Sequence, residues 1–143
     1  MIKPLIALTC CLAALAVAGC GGGSSSSADR AQICATAHRV YDEYIHALGA
    51  MGLKLTHKPL VEATVAKIGP FRAQLQHLRG TVGASEARQL DALSTGLQEQ
   101  AVVITQISKG ETAAAAKSGN KVNEAILVGL PNFRRICGIK GIL

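Results

Sequence analysis

The sequence predicts an all-α fold: an antiparallel up-down-up-down four-helix bundle closed by one disulfide. Three observations predict it. Apolar residues recur at spacings of three and four along four stretches between Asp29 and Cys137, with no strand-type alternation. Short connections carrying Gly or Pro separate the stretches, which favours antiparallel neighbours. Cys34 and Cys137 fall near the start of the first stretch and the end of the last, two places that this topology brings to the same end.

The first helix is expected over Asp29–Met51, with Asp29 as a cap. Its apolar face is Ile33, Ala37, Val40, Tyr44, Leu48 and Met51, widened by Tyr41 and Ile45, with Arg39, Asp42, Glu43 and His46 opposite. Gly49 to Pro59 ends it. The second helix runs over Pro59–Arg79, Pro59 suiting a first turn because its missing N–H costs nothing there. Leu60, Thr64, Ile68, Phe71, Leu75 and Leu78 hold register through Gly69–Pro70, so a kinked helix is expected, with two shorter helices as the alternative.

After a turn at Gly80–Ala84, Ser85 is the expected N-cap of the third helix, with Glu86 favourable in its first turn. Leu90, Leu93, Leu97, Ala101, Ile104 and Ile107 form its stripe, and Lys109–Gly110 stops it: a cation at the negative end, then glycine. The fourth helix starts near Glu111 or Thr112 with a stripe of Ala115, Gly119, Val122, Ile126, Leu130 and Phe133. Pro131 is expected to kink or interrupt it. Aromatic residues are only 3% of the chain, and the core is expected to be rich in Ala, Leu, Ile and Val.

The 143 residues suit one such domain, so a multi-domain enzyme is excluded. An apolar fraction of 49% excludes a disordered charged tail. The scarcity of rings argues against binding by stacking. Mean hydropathy is +0.30, and part of it has a local source. Lys3 precedes the uncharged run Leu5–Ala18, which is too short to cross a bilayer but suits the apolar core of a signal peptide. Val17-Ala18-Gly19-Cys20 follows.

These four residues resemble the lipobox of bacterial lipoproteins: an aliphatic residue, two small ones, then Cys. Val17 stands where Leu is commoner. The resemblance implies cleavage before Cys20 and a diacylglyceryl group on its sulfur, often with a further acyl chain on the new N-terminus. Two or three chains make a stable anchor, at about 0.8 kcal/mol per buried CH₂. The bland alternative is an ordinary secreted protein with a chance Cys. Gly21–Ser27, GGGSSSS, reads as a tether reaching roughly 25 Å when extended. The expected layout is a signal peptide at 1–19, a lipidated Cys and tether at 20–28, and the bundle at 29–143. It is similar to that of small actinobacterial lipoproteins with a disulfide-closed helical domain.

In the exported chain two cysteines remain beyond Cys20, and an even pair in an oxidising compartment reads as a Cys34–Cys137 disulfide. Charge is uneven. Residues 29–108 carry eight Lys/Arg against seven Asp/Glu, while residues 109–143 carry six against two. With no run of like charge and no Arg–aromatic interleaving, nucleic acid is excluded as a partner.

The search for chemistry is short. Glu43-x-x-His46 matches one half of a di-metal bundle motif, but Gln74 stands where a second copy needs Glu, and His46 lies away from the apolar face. His38, His57 and His77 do not converge by sequence, Cys34-x-x-x-His38 lacks the second Cys of a haem motif, and no nucleophile–base set or phosphate loop is present. No enzyme activity, metal or cofactor is expected. Two interaction features remain. Arg134, Arg135 and Lys140 fall at the membrane-proximal end, where they would meet anionic headgroups, or simply be solvated at a helix C-terminus. Met51, Leu53 and Leu55, beside Lys54 and Lys58, form a distal loop that would either contact a partner or cap the core. The expectation is a single-copy, non-catalytic, membrane-anchored adaptor of the cell envelope, with a small-ligand or metal-binding bundle as the alternative.

Overall fold

The computed structural model describes residues 27–140. The expected signal peptide, the expected lipobox and the expected tether up to residue 26 lie outside the described residues, as do 141–143. Four helices follow one another: α1 (Ser27–Met51), α2 (Lys58–Arg79), α3 (Ala84–Ser108) and α4 (Thr112–Ile136). No strand occurs among the described residues.

Several expected boundaries move by a residue or two. α1 is helical from the first described residue, so Asp29 sits in its first turn and complements the positive helix end there. α3 begins at Ala84 with extended Gly83 as its N-cap, and no side chain caps it. Ser85 is therefore a helical residue and not the cap. Helices α2 and α4 run unbroken through Pro70 and Pro131. Both prolines are exposed, so the amide hydrogen bond each lacks falls on the solvent side of its helix.

The expected stop of α3 is present in detail. Gly110 takes φ +83°, the N–H of Gly110 donates to Ile107 O, and the N–H of Glu111 donates to Gln106 O. α4 ends in the same way. Gly138 takes φ +63°, and the N–H of Ile139 reaches back to Arg134 O at 2.9 Å. That turn places Cys137 beside Cys34, and the two form a disulfide with their Cα atoms 5.2 Å apart.

Contacts between consecutive helices pair rising numbers with falling ones. Thr64 donates to Ala47 O while Lys67 reaches Glu43; Arg72 meets Ser94 while Arg79 meets Asp91. Gly96 lies against Ala125 while Gly129 lies against Leu93. Each pair is thus antiparallel. α1 and α4 differ: no Cα atoms of the two helices approach within 8 Å. Side chains close that seam near the disulfide.

The core has two parts. The larger joins all four helices around Ala37, Tyr41, Tyr44, Phe71, Leu75, Leu78, Leu90, Leu93, Leu97 and Phe133. The smaller, at the distal end, joins Met51, Val61 and Ile104 without α4. The core is rich in Leu, Ile, Val and Ala, as expected, and the rings add to it. All four aromatic rings of the chain are buried together, with Phe71 at 5.2–6.1 Å, centroid to centroid, from Tyr41, Tyr44 and Phe133. Rings are scarce, but each supplies 150–250 Å² of burial, so concentrating them forms one dense centre. Ile45, expected on the buried face, is exposed instead, because that face is centred on Cys34, Ala37, Tyr41 and Tyr44.

Candidate functional site

The proximal end collects the start of α1, the α2–α3 turn and the end of α4. It holds two of the three basic residues expected to face a membrane in roles of a different kind. Arg134 turns inward. Its Nη2 donates to the Tyr41 hydroxyl at 2.6 Å and its guanidinium lies 5.5 Å from the centroid of the same ring. Its Nε is buried without an acceptor among the described residues. Arg135 pairs with Glu86 at 3.4 Å. Lys140 is exposed. Arg30 joins the group by donating to Ile136 O, one of the last carbonyls of α4. Arg134, Arg30, the disulfide and the Tyr41–Phe133 ring contact at 5.7 Å together clasp α1 to α4. The arrangement needs no ligand to explain it.

The distal tip divides. Met51 is buried and Leu55 packs against the smaller core part, so both cap the bundle. Leu53 is 98% exposed. Lys58 pairs with Glu62 along α2 at 3.7 Å, and Lys54 is exposed. Beside the tip, Lys58, Val61, Val65, Thr105 and Lys109 line a groove of about 480 Å³ between α2 and α3.

Glu43 and His46 are both exposed on α1. Glu43 Oε2 accepts from Lys67 Nζ of α2 at 2.9 Å. That hydrogen bond, and then the lysine charge, hold the Glu43 carboxyl below its ordinary range. His38 is exposed and lies 3.4 Å from Asp42, one turn on. Among the described residues no three His, Cys, Asp or Glu side chains are placed to share a metal ion. Inside the bundle, Tyr44 donates to Gln100 Oε1 at 2.5 Å, and burial pushes its phenol up to about 12. That bond joins two diagonal helices and is structural, since no cavity reaches it among those found.

Sequence reasoning missed one feature altogether. On the outer side of the α3–α4 pair, Ser85, Arg88, Gln89, Ala92, Ala125 and Val128 line a groove of about 430 Å³. Its floor is low because Gly96 and Gly129 let the helices come close. A Cβ on Gly96 would meet the Ala125 Cβ at 2.7 Å, and one on Gly129 would meet the Leu93 Cβ at 2.6 Å. The available signal was the placement of Gly96, Ala125 and Gly129, small residues on facing helices. It acquires meaning only once α3 and α4 are known to be neighbours.

No described helix is long and apolar enough to cross a membrane. No protein-family model, curated protein or solved structure matches this chain.

Proposed function

We propose that this chain is a membrane-anchored, extracytoplasmic lipoprotein whose helical domain serves as a non-catalytic interaction module of the cell envelope. The observation that carries the reading is Val17-Ala18-Gly19-Cys20 at the end of a short apolar run, with only six residues between Cys20 and the start of α1. Cys34 and Cys137 occupy each other, which fits an oxidising compartment, and Cys20 is the one remaining cysteine that two small residues precede. The interaction role rests on what the domain displays: its polar core groups serve packing, while apolar side chains stand exposed on α4 and at the distal tip.

Mass spectrometry of the N-terminal peptide from membranes tests the anchor. A diacylglyceryl mass on Cys20, with release of the Cys20→Ser chain to the soluble fraction, is the expected result. An unmodified chain cut elsewhere would refute it. The second reading, a binder of small ligands, is favoured by the α2–α3 groove of about 480 Å³ beside Lys58 and Lys109.

A further inference from the structure

We infer that the outer seam of α3 and α4 is an interface for a second copy of this chain, related to the first by a two-fold axis across the helices. The inference goes beyond the anchoring reading and does not depend on it.

Among the described residues, two of the five large apolar side chains that stand exposed line this seam: Val102 and Val128. Val102 is 49% exposed and Val128 59%. The groove of about 430 Å³ continues past Lys121 into a second of about 230 Å³ beside Val102. The charges along the seam are also unused. Arg88, Glu99, Lys117, Lys121 and Glu124 take part in none of the ion pairs found among the described residues, which join other residues. Apolar side chains ringed by charges of both signs match the anatomy of an interface, an apolar centre within a polar rim.

The order of these groups selects the occupant. The Gly129–Leu93 and Gly96–Ala125 contacts set which residues of the two helices lie level. Val128 is level with Ser94, and Glu124 with the turn that holds Glu99. From the proximal end the seam therefore reads Arg88, then Ala92 with Val128, then Glu124 with Glu99. Arg88 and Glu99 are separated by about 16 Å of helix. The midpoint falls at the level of Val128. A half-turn about an axis through that point brings Val128 and Ala92 against their own counterparts. The same rotation brings Arg88 level with Glu99 and Glu124 of the second copy, at both ends of the contact. A side-by-side pairing with both copies pointing the same way would instead set Glu99 between Glu124 and Lys121 of the second copy and leave Arg88 without an acidic partner. The charge order thus favours the crossed arrangement.

The area is sufficient. Two 25-residue helices, each about 37 Å long and packed about 9 Å apart, present a face of roughly 700 Å². A stable interface of standard size buries about 600–1,000 Å² on each partner. This pairing replaces the single-copy expectation drawn from the sequence.

Sedimentation equilibrium on the chain from residue 20 onward, carrying Cys20→Ser and an intact disulfide, tests the proposal. Over about 1 µM to 1 mM the mass should rise from one chain to two and no further. Val128→Asp should weaken the association at least about tenfold, and so should Arg88→Glu. Adding Glu99→Arg and Glu124→Arg to Arg88→Glu should restore it. Circular dichroism and melting in the dilute range should stay unchanged, because these side chains have no partner within one chain. A one-chain mass throughout, a dimer indifferent to Val128→Asp, or a charge reversal without rescue would each overturn the inference. The sample carries no lipid, so a failure here leaves the Cys20 reading untouched.

Discussion

Gly129→Ala sets two opposing effects against each other, and the structure decides between them. An alanine in a helix interior is favoured over glycine by about 1 kcal/mol. At this site, however, the added Cβ would stand 2.6 Å from the Leu93 Cβ and 3.2 Å from its Cα. Neither atom can rotate away, so α3 and α4 must separate. Overpacking of this kind costs typically 1–3 kcal/mol, and contact with backbone belongs at the upper end of that range. The net expectation is a destabilisation of about 1–2 kcal/mol, a fall in Tm of about 4–8 °C for a domain of this size. Gly119→Ala is the control. It lies on the same helix, and an added Cβ there meets nothing within 4 Å. That variant should gain up to about 1 kcal/mol from helix propensity alone. Thermal and urea unfolding of both variants, followed by circular dichroism, measure the difference. If Gly129→Ala were as stabilising as Gly119→Ala, the close crossing of α3 and α4 would be refuted.

Three further outcomes follow from the core and the clasp. Burial raises the Tyr44 phenol from 10.0 to about 12, so the folded state keeps a proton that the unfolded chain releases. Stability should be full below pH 10 and decline by about 2–3 kcal/mol as pH rises to 12, whereas Tyr44→Phe should show a much flatter decline in the same urea titrations. Removing the disulfide with Cys34→Ser and Cys137→Ser frees a closure spanning 103 positions, for an expected loss of about 4–5 kcal/mol in denaturant unfolding. A loss below about 1 kcal/mol would mean that the reduced chain keeps the clasp closed by other contacts. Arg134→Ala should cost about 1–2 kcal/mol by equilibrium unfolding, through the lost Tyr41 hydrogen bond and ring contact, while Lys140→Gln should change stability by less than about 0.5 kcal/mol.

Much of this architecture was legible because it is encoded locally or covalently. The stop at Lys109–Gly110 depends on one glycine at positive φ and needs no knowledge of neighbours. The four apolar stripes follow from helical spacing, and most of their residues are buried or half-buried as expected. The site was less legible. Arg134 and Arg135 read as one basic pair, yet one faces Tyr41 and the other Glu86, because adjacent residues on a helix point about 100° apart. Met51, Leu53 and Leu55 read as one apolar tip, yet only Leu53 projects. The loop folds back over Val61 and Ile104 and draws the other two into the smaller core part.

By itself the sequence determined that this is a four-helix chain, where each helix ends within a residue or two, and that Cys34 has Cys137 as its partner. Each of those depends on periodicity, glycine geometry or the pairing of two thiols, which are properties of short segments or of residue chemistry. Only the tertiary structure decided that the four rings form one centre, that the α1–α4 seam is closed at one end by Arg134 and the disulfide, and that Gly96 and Gly129 let α3 and α4 meet closely enough to leave an apolar outer groove. Those outcomes depend on the distance between helix axes. That distance is set by the small and large side chains of two helices acting together, so neither helix carries it alone.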